Sequence, residues 1–169
     1  MSDSKVFYAI NNGVHILKYV GQIRYTIGAS LDRFIEGLFV GTTPKGFVVD
    51  LQEAESIDST NLGLLVLVAK RMERCGAPRV TLVSTHEDIN DLLFSIGFDE
   101  VFDIVDESGH AMLNSRELGL SDSPSPDMAQ TILEAHRTLS AMGDSNRARF
   151  QDVVDLLERN TEQPNREFG

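Results

Sequence analysis

The chain has 169 residues, 41% of them hydrophobic, and a formal net charge of −11, which is material for one ordinary domain, or one domain with an appendage, and ample for a core. Both halves are acidic, with 10 basic and 17 acidic side chains in 1–119 and 5 and 9 in 120–169. Nucleic acid is therefore a poor partner, since duplex affinity comes from Lys and Arg laid against phosphates, and a protein with a basic docking face fits better. No apolar run approaches the ~20 residues that cross a bilayer, and Met1-Ser2-Asp3-Ser4-Lys5 lacks a signal-peptide pattern, so a cytoplasmic protein with no membrane insertion is expected.

In chain order, Lys5 to Ile10 and Val14 to Val20 flank Asn11-Asn12-Gly13, a tight-turn signal, and predict an opening β-hairpin. Leu31, Phe34, Ile35 and Leu38 fall at i, i+3, i+4 and i+7, the stripe of an amphipathic helix closed by Gly41 and Pro44. Phe47 to Leu51 reads as a buried strand, followed by a short acidic loop. From Leu62 to Ala69 the next helix is apolar on nearly every side, and Lys70, Arg71, Glu73 and Arg74 restore a wet face before Gly76 and Pro78 end it. A strand over Arg79 to Ser84 leads to Thr85-His86-Glu87-Asp88, which resembles a capping box for a helix burying Ile89, Leu92, Leu93 and Ile96. Gly97 stops that helix, and Val101 to Val105 gives the last strand. The order ββαβαβαβ predicts an α/β fold around a single mixed β-sheet of about five strands, with the first strand at an edge.

Asp58-Ser59-Thr60, just before the apolar helix, has the chemistry of an N-cap, and the plain reading of Ser59 is a cap. Its position allows more. A helix N-terminus carries about half a positive charge and several unpaired donors, so a phosphate on Ser59 is held there without unfolding the chain. It would add about two negative charges beside Asp58 and reverse how a docking partner sees that surface.

Phe47-Val48-Val49-Asp50-Leu51, the acidic spacer, Ile57-Asp58-Ser59-Thr60-Asn61-Leu62-Gly63-Leu64-Leu65 and Leu92-Leu93-Phe94-Ser95-Ile96-Gly97-Phe98 together resemble the STAS domain of the anti-sigma factor antagonists, over roughly residues 5 to 108. In that family's serine loop Asp58, Ser59, Thr60, Leu62 and Gly63 match, whereas Asn61 stands where the family has its first glycine. The resemblance implies that Ser59 is the phosphoacceptor of a noncatalytic partner-switching module. The unphosphorylated form would bind an anti-sigma factor, a serine kinase or one of flagellar type, and free a sigma factor. A serine kinase would reverse binding by phosphorylating Ser59, and a PP2C-type phosphatase would restore it. Asp58, Ser59, Thr60, Asn61, Arg24 and Thr26 would form the partner-binding face.

The loop after the hairpin departs from the family. Where members often carry Gly-Glu-Leu-Asp, this chain reads Gly21-Gln22-Ile23-Arg24, followed by Tyr25 and Thr26. Arg24 puts a positive charge where an acid is usual, which points to a different partner. A closer resemblance is to the HsbA-type antagonists of motile, biofilm-forming bacteria.

Other chemistry is weakly signalled. His15, His86, His110 and His136 are scattered without metal-ligand spacing, and Cys75, the only cysteine, allows no internal disulfide and reads as a packing residue. Asp50, Glu53, Glu55 and Asp58 read as a wet acidic loop rather than a magnesium site. No P-loop or dinucleotide fingerprint is present, so neither a cofactor nor a metal is expected. A receiver-like phosphoaspartate at Asp50 would lack the acidic pair after the first strand and the lysine after the last. The remaining alternative is a STAS module that binds without a switch, as in transport or ligand sensing.

Beyond Leu120, Ser121-Asp122-Ser123-Pro124-Ser125-Pro126 reads as a linker. The division expected is a STAS domain over 1–119, a linker over 120–127 and a C-terminal helical hairpin with a frayed tail over 128–169. Met128, Ile132, Leu133, Ala135 and Leu139 mark one amphipathic helix. Phe150, Val153, Val154 and Leu157 mark the second, capped by Asp144 or Ser145 after a hinge at Gly143, and Asn160 to Gly169 is expected to fray. Two such helices bury too little alone and should dock on the same chain.

Overall fold

The computed structural model describes residues 4–107, 109 and 112–162. Strands β1 (Lys5–Asn11) and β2 (Val14–Ile23) form the hairpin, and helix α1 (Gly28–Leu38) leads to β3 (Gly46–Ile57). Helix α2 (Ser59–Arg74), β4 (Thr81–Val83), α3 (Glu87–Ser95), β5 (Asp103–Val105) and the two-residue β6 (Arg116–Glu117) follow. Two helices close the described chain, α4 (Met128–Ser140) and α5 (Asp144–Glu162).

The strands make one mixed sheet in the order β5-β4-β3-β2-β1-β6. Asn11 pairs with Val14 across the two-residue turn Asn12-Gly13, whose φ values of 52° and 82° are the positive pair that a tight hairpin turn requires. β2, β3, β4 and β5 run parallel, while β1 and β6 are antiparallel to their neighbours. The sheet thus has six strands rather than about five, and β6, not β1, lies at that edge.

Several local expectations change. The acidic spacer is strand, because β3 continues through Gln52–Ile57 and pairs with Val20–Ile23 across two register shifts, each taking up one extra residue in β3. Leu51, Ala54 and Ile57 face inward at a spacing of three, and this hides the usual two-residue alternation. Asp50, Glu53 and Glu55 are therefore spread along a strand. His86 occupies the N-cap of α3 without a side-chain cap bond, so the capping box does not form. Cys75 is exposed rather than packed, because it is the C-cap residue of α2, where the helix has run past the core. Asn160 is still helical, and the tail beyond residue 162 lies outside the described residues.

One main core lies between the sheet and the helices. Leu17, Tyr19, Phe47, Val49 and Leu51 from the sheet meet Leu31, Ile35, Leu62, Leu65, Met72 and Leu93, and the C-terminal helices add Leu139 and Phe150. On the other face Ile16, Val48 and Val83 form a smaller cluster, covered in part by Met112 as the chain crosses from β5 to β6. The apolar circumference of α2 now has a cause: the sheet takes one side, and α4 covers the other, where Leu64 is 2% exposed.

Candidate functional site

The site is built at the junction of β3 and α2. Asp58, extended at φ −84° and ψ 170°, is the N-cap, and its Oδ1 accepts from the Asn61 backbone N–H at 3.1 Å and the Asn61 Nδ2 at 2.9 Å. Its other oxygen, Oδ2, accepts from the backbone N–H of Tyr25, and its own N–H donates to Ile23 O at 3.1 Å. Asp58 therefore ties the start of α2 to the segment after β2. This corrects the cap assignment: the carboxylate caps the helix, and Ser59 is the first helical residue with its hydroxyl free of that duty.

Ser59 Oγ instead lies 2.8 Å from Nε2 of His136 on α4, while Nδ1 of the same ring lies 2.7 Å from Ile132 O. A carbonyl oxygen can only accept, so Nδ1 carries a proton, and in the neutral ring Nε2 is the acceptor to which the Ser59 hydroxyl donates. His136 is 6% exposed, and its ring also meets Phe150 edge-on.

The six predicted partner-binding residues separate into two groups. Arg24 is exposed, its guanidinium on Gln22 Oε1, and Thr26 is half-buried in the 3-10 turn Tyr25–Ile27, next to Asp58 through the Tyr25 contact. Asp58 and Ser59 are half-buried, whereas Thr60 and Asn61 are buried at 3% and 0% exposure. The buried Asn61 Oδ1 has no hydrogen-bond partner among the described residues, and this is the position where the chain departs from the serine-loop pattern.

Helix α4 covers this face by close backbone approach. A Cβ on Gly63 would lie 2.3 Å from the carbonyl oxygen of Ala135, so only glycine lets α2 and α4 meet there. One turn away, the Thr60 and Thr131 methyl groups lie 3.4 and 3.8 Å from where a Cβ on Gly28 would stand. Asp32 on α1 pairs with Arg71 on α2 at 3.2 Å; burial pushes its carboxyl up, partly offset by Arg71 and reinforced by Glu36 and by Glu134 of α4. At the far end of α2, a groove of about 990 Å³ runs between Lys70, Phe94, Val101 and the α4–α5 turn at Met142.

His136 was missed by sequence reasoning, since 77 positions separate it from Ser59. A signal existed: four residues after Ile132, it sits on the apolar stripe of α4, where a polar ring must find a partner. His110 lies outside the described residues. Among the described residues, no group of three or more His, Cys, Asp and Glu is placed to hold a metal ion, and no helix is long and apolar enough to cross a membrane.

The fold is shared with solved structures. An anti-sigma factor antagonist from Mycobacterium paratuberculosis superposes with a TM-score of 0.53 at 18% identity, covering 62% of this chain and 87% of that one. A Thermotoga maritima protein assigned to the anti-sigma factor antagonists gives 0.54 at 25% identity, over 59% and 85%. The Bacillus cell fate determinant SpoIIAA, in its phosphorylated form, gives 0.50 at 10% identity, over 61% and 91%. No curated protein sequence matches the chain. Residues 7–111, more than half of the sequence and including β3, the Ser59 turn and α2, match the STAS domain model, and the chain belongs to the STAS family.

Proposed function

We propose that this protein is an anti-sigma factor antagonist that works by partner switching. Unphosphorylated, it binds an anti-sigma factor and releases the sigma factor; a serine kinase phosphorylates Ser59 and reverses the binding, and a PP2C-type phosphatase resets it. The chain itself performs no catalysis and acts in transcription regulation, with motility and biofilm formation as the output. Family membership and the Thermotoga maritima likeness support the general role.

The observation that carries the switch is the division of labour between Asp58 and Ser59. Asp58 supplies the cap, so the Ser59 hydroxyl has no backbone bond to give up, and phosphorylation leaves the start of α2 capped. The new phosphate sits beside the orphan N–H groups of the first turn and the exposed Arg24–Tyr25 edge, which changes the charge that a partner meets while leaving the core alone. Calorimetric titration of Ser59→Ala and Ser59→Asp against the anti-sigma factors of the same organism tests this reading. Ser59→Ala should bind at least about tenfold more tightly than Ser59→Asp, the scale of one local charge at an interface. Equal binding by both variants and wild type overturns it.

A further inference from the structure

The α2 face that carries Ser59 is already occupied. His136 Nε2 lies in hydrogen-bond contact with the hydroxyl oxygen at 2.8 Å, the main chain of Ala135 rests on Gly63, and Thr131 closes the gap toward Gly28. Thr131, Ala135 and His136 are 8%, 0% and 6% exposed, so α4 packs closely on this face, with Ser59 itself half-buried beneath it. A kinase must bring a phosphoryl donor in line with Oγ, and the direction of its hydroxyl bond is filled by the imidazole. A partner reading Thr60 would meet α4 first.

We propose that α4 is a built-in occupant of the switch face, and that Ser59 is modified, and the partner docks, only after α4 has left it. This rests on reading Ser59 as the switch. The attachment suits a removable element. Residues 121–124, 126 and 127 are exposed and include Pro124 and Pro126, so the strap leading into α4 has little to break. The ion pair at its start, Arg33 to Asp127 at 2.6 Å, joins side chains 53% and 61% exposed and holds weakly. The apolar side of α2 bared by departure explains why a successor is needed: Leu64 and its neighbours stay dry only when a second helix or a partner lies on them. Arg24 and Tyr25, 47% exposed at Tyr25, stay open beside the half-buried serine and give an incoming partner its first foothold.

Phosphate at Ser59 works against the closed arrangement. It adds a phosphorus and three oxygens where Oγ now lies 2.8 Å from Nε2, a hydrogen-bond distance that leaves no space for a phosphoryl group between Ser59 and the ring. Modification therefore breaks the Ser59–His136 contact as it stands, and α4 must shift to admit the phosphate.

Thiol labelling tests the proposal on the full chain. Cys75 is the only cysteine and is exposed, so Cys75→Ser with Ser59→Cys gives one reporter at the switch, and wild-type Cys75 supplies the open reference rate. With a disulfide reagent such as dithionitrobenzoate, the thiol at 59 should react at least about tenfold more slowly than Cys75, as expected for a site reached through local opening. Adding Gly63→Ala, which strengthens α2 as a helix yet places a methyl group against Ala135 O, should recover about tenfold in rate. A thiol at 59 as reactive as Cys75, or indifferent to Gly63→Ala, overturns the proposal. Amide exchange of the wild-type chain is the second measurement: α4 should open while β2 and β3 stay protected, and α4 exchange only in step with the sheet overturns it too. The two readings fail separately. A shielded thiol with identical binding by Ser59→Ala and Ser59→Asp removes the switch and keeps the occluding helix, and an open thiol with opposite binding does the reverse.

Discussion

The sheet with α2 and the α4–α5 hairpin share one core but are held differently. The platform is fixed by long apolar contacts: Leu17, Tyr19, Phe47, Leu51 and Leu65 are all at most 1% exposed, and β3 is paired along most of its length. The hairpin inserts Leu139 and Phe150 into that core. Met142 packs against the same core, and small residues and single polar bonds complete the seat, with Ala135 on Gly63, His136 on Ser59, the Asn146 Nδ2 donating to Ile96 O at 2.9 Å, and an Arg149 bond to Ser95. Close approach of small residues aligns two helices well, and parting them bares the apolar side of α2 that carries Leu64. The difference separates what keeps the protein folded from what controls access to Ser59.

The largest effect should come from truncating both regions. Leu65→Ala, in the platform, should cost about 2–5 kcal/mol and shift every unfolding probe together. Leu139→Ala should instead raise amide exchange in α4 and α5 first, with a smaller fall in the denaturation midpoint. If both variants lower the midpoint equally and exchange stays uniform, the two regions form one cooperative unit.

Removing the platform's own cap at the serine turn comes next. Asp58→Ala deletes the cap and the Tyr25 bond together and should cost about 1–2 kcal/mol in urea unfolding. Ser59→Ala should cost less than that, since Ser59 is not the cap; the reverse order would return the capping role to the serine.

How legible this was depended on the residue. Asn12-Gly13 declares its turn because positive φ needs those side chains, and the helices declare themselves by period. The Ser59 turn is readable because its residues are contiguous. β3 past Leu51 is not, since its inward positions recur every three residues across the register shifts, and β6 is two charged residues placed only by pairing with Phe7 and Tyr8. His136 is legible as a buried polar group and illegible as a neighbour of Ser59, because that contact is made by the docking of α4 rather than by local sequence.

A buried histidine in the platform extends the comparison to pH. His15, in the platform, bonds the Tyr8 hydroxyl at 2.6 Å, and burial holds its pKa below the ordinary 6.5. The unfolded chain then takes up the proton first, so the stability His15 contributes is complete above about pH 6.5 and falls as pH drops from there toward its lowered folded value. Urea titrations between about pH 7.5 and about pH 5.5 should show this loss, and His15→Gln should reduce its slope by up to one proton. The smallest effect is expected at the hairpin surface. Arg137→Ala breaks a 3.0 Å pair with Glu158 whose side chains are 48% and 37% exposed, and should change stability by less than about 1 kcal/mol.

The most direct measurement is amide exchange on the full chain carrying a genetically encoded phosphoserine at position 59, compared with the unmodified protein. The account predicts that the α4 amides, over 128–140, lose at least about tenfold in protection while β2 and β3 are unchanged. Unchanged or increased protection of α4 would contradict it, showing that phosphate and helix occupy the same face together.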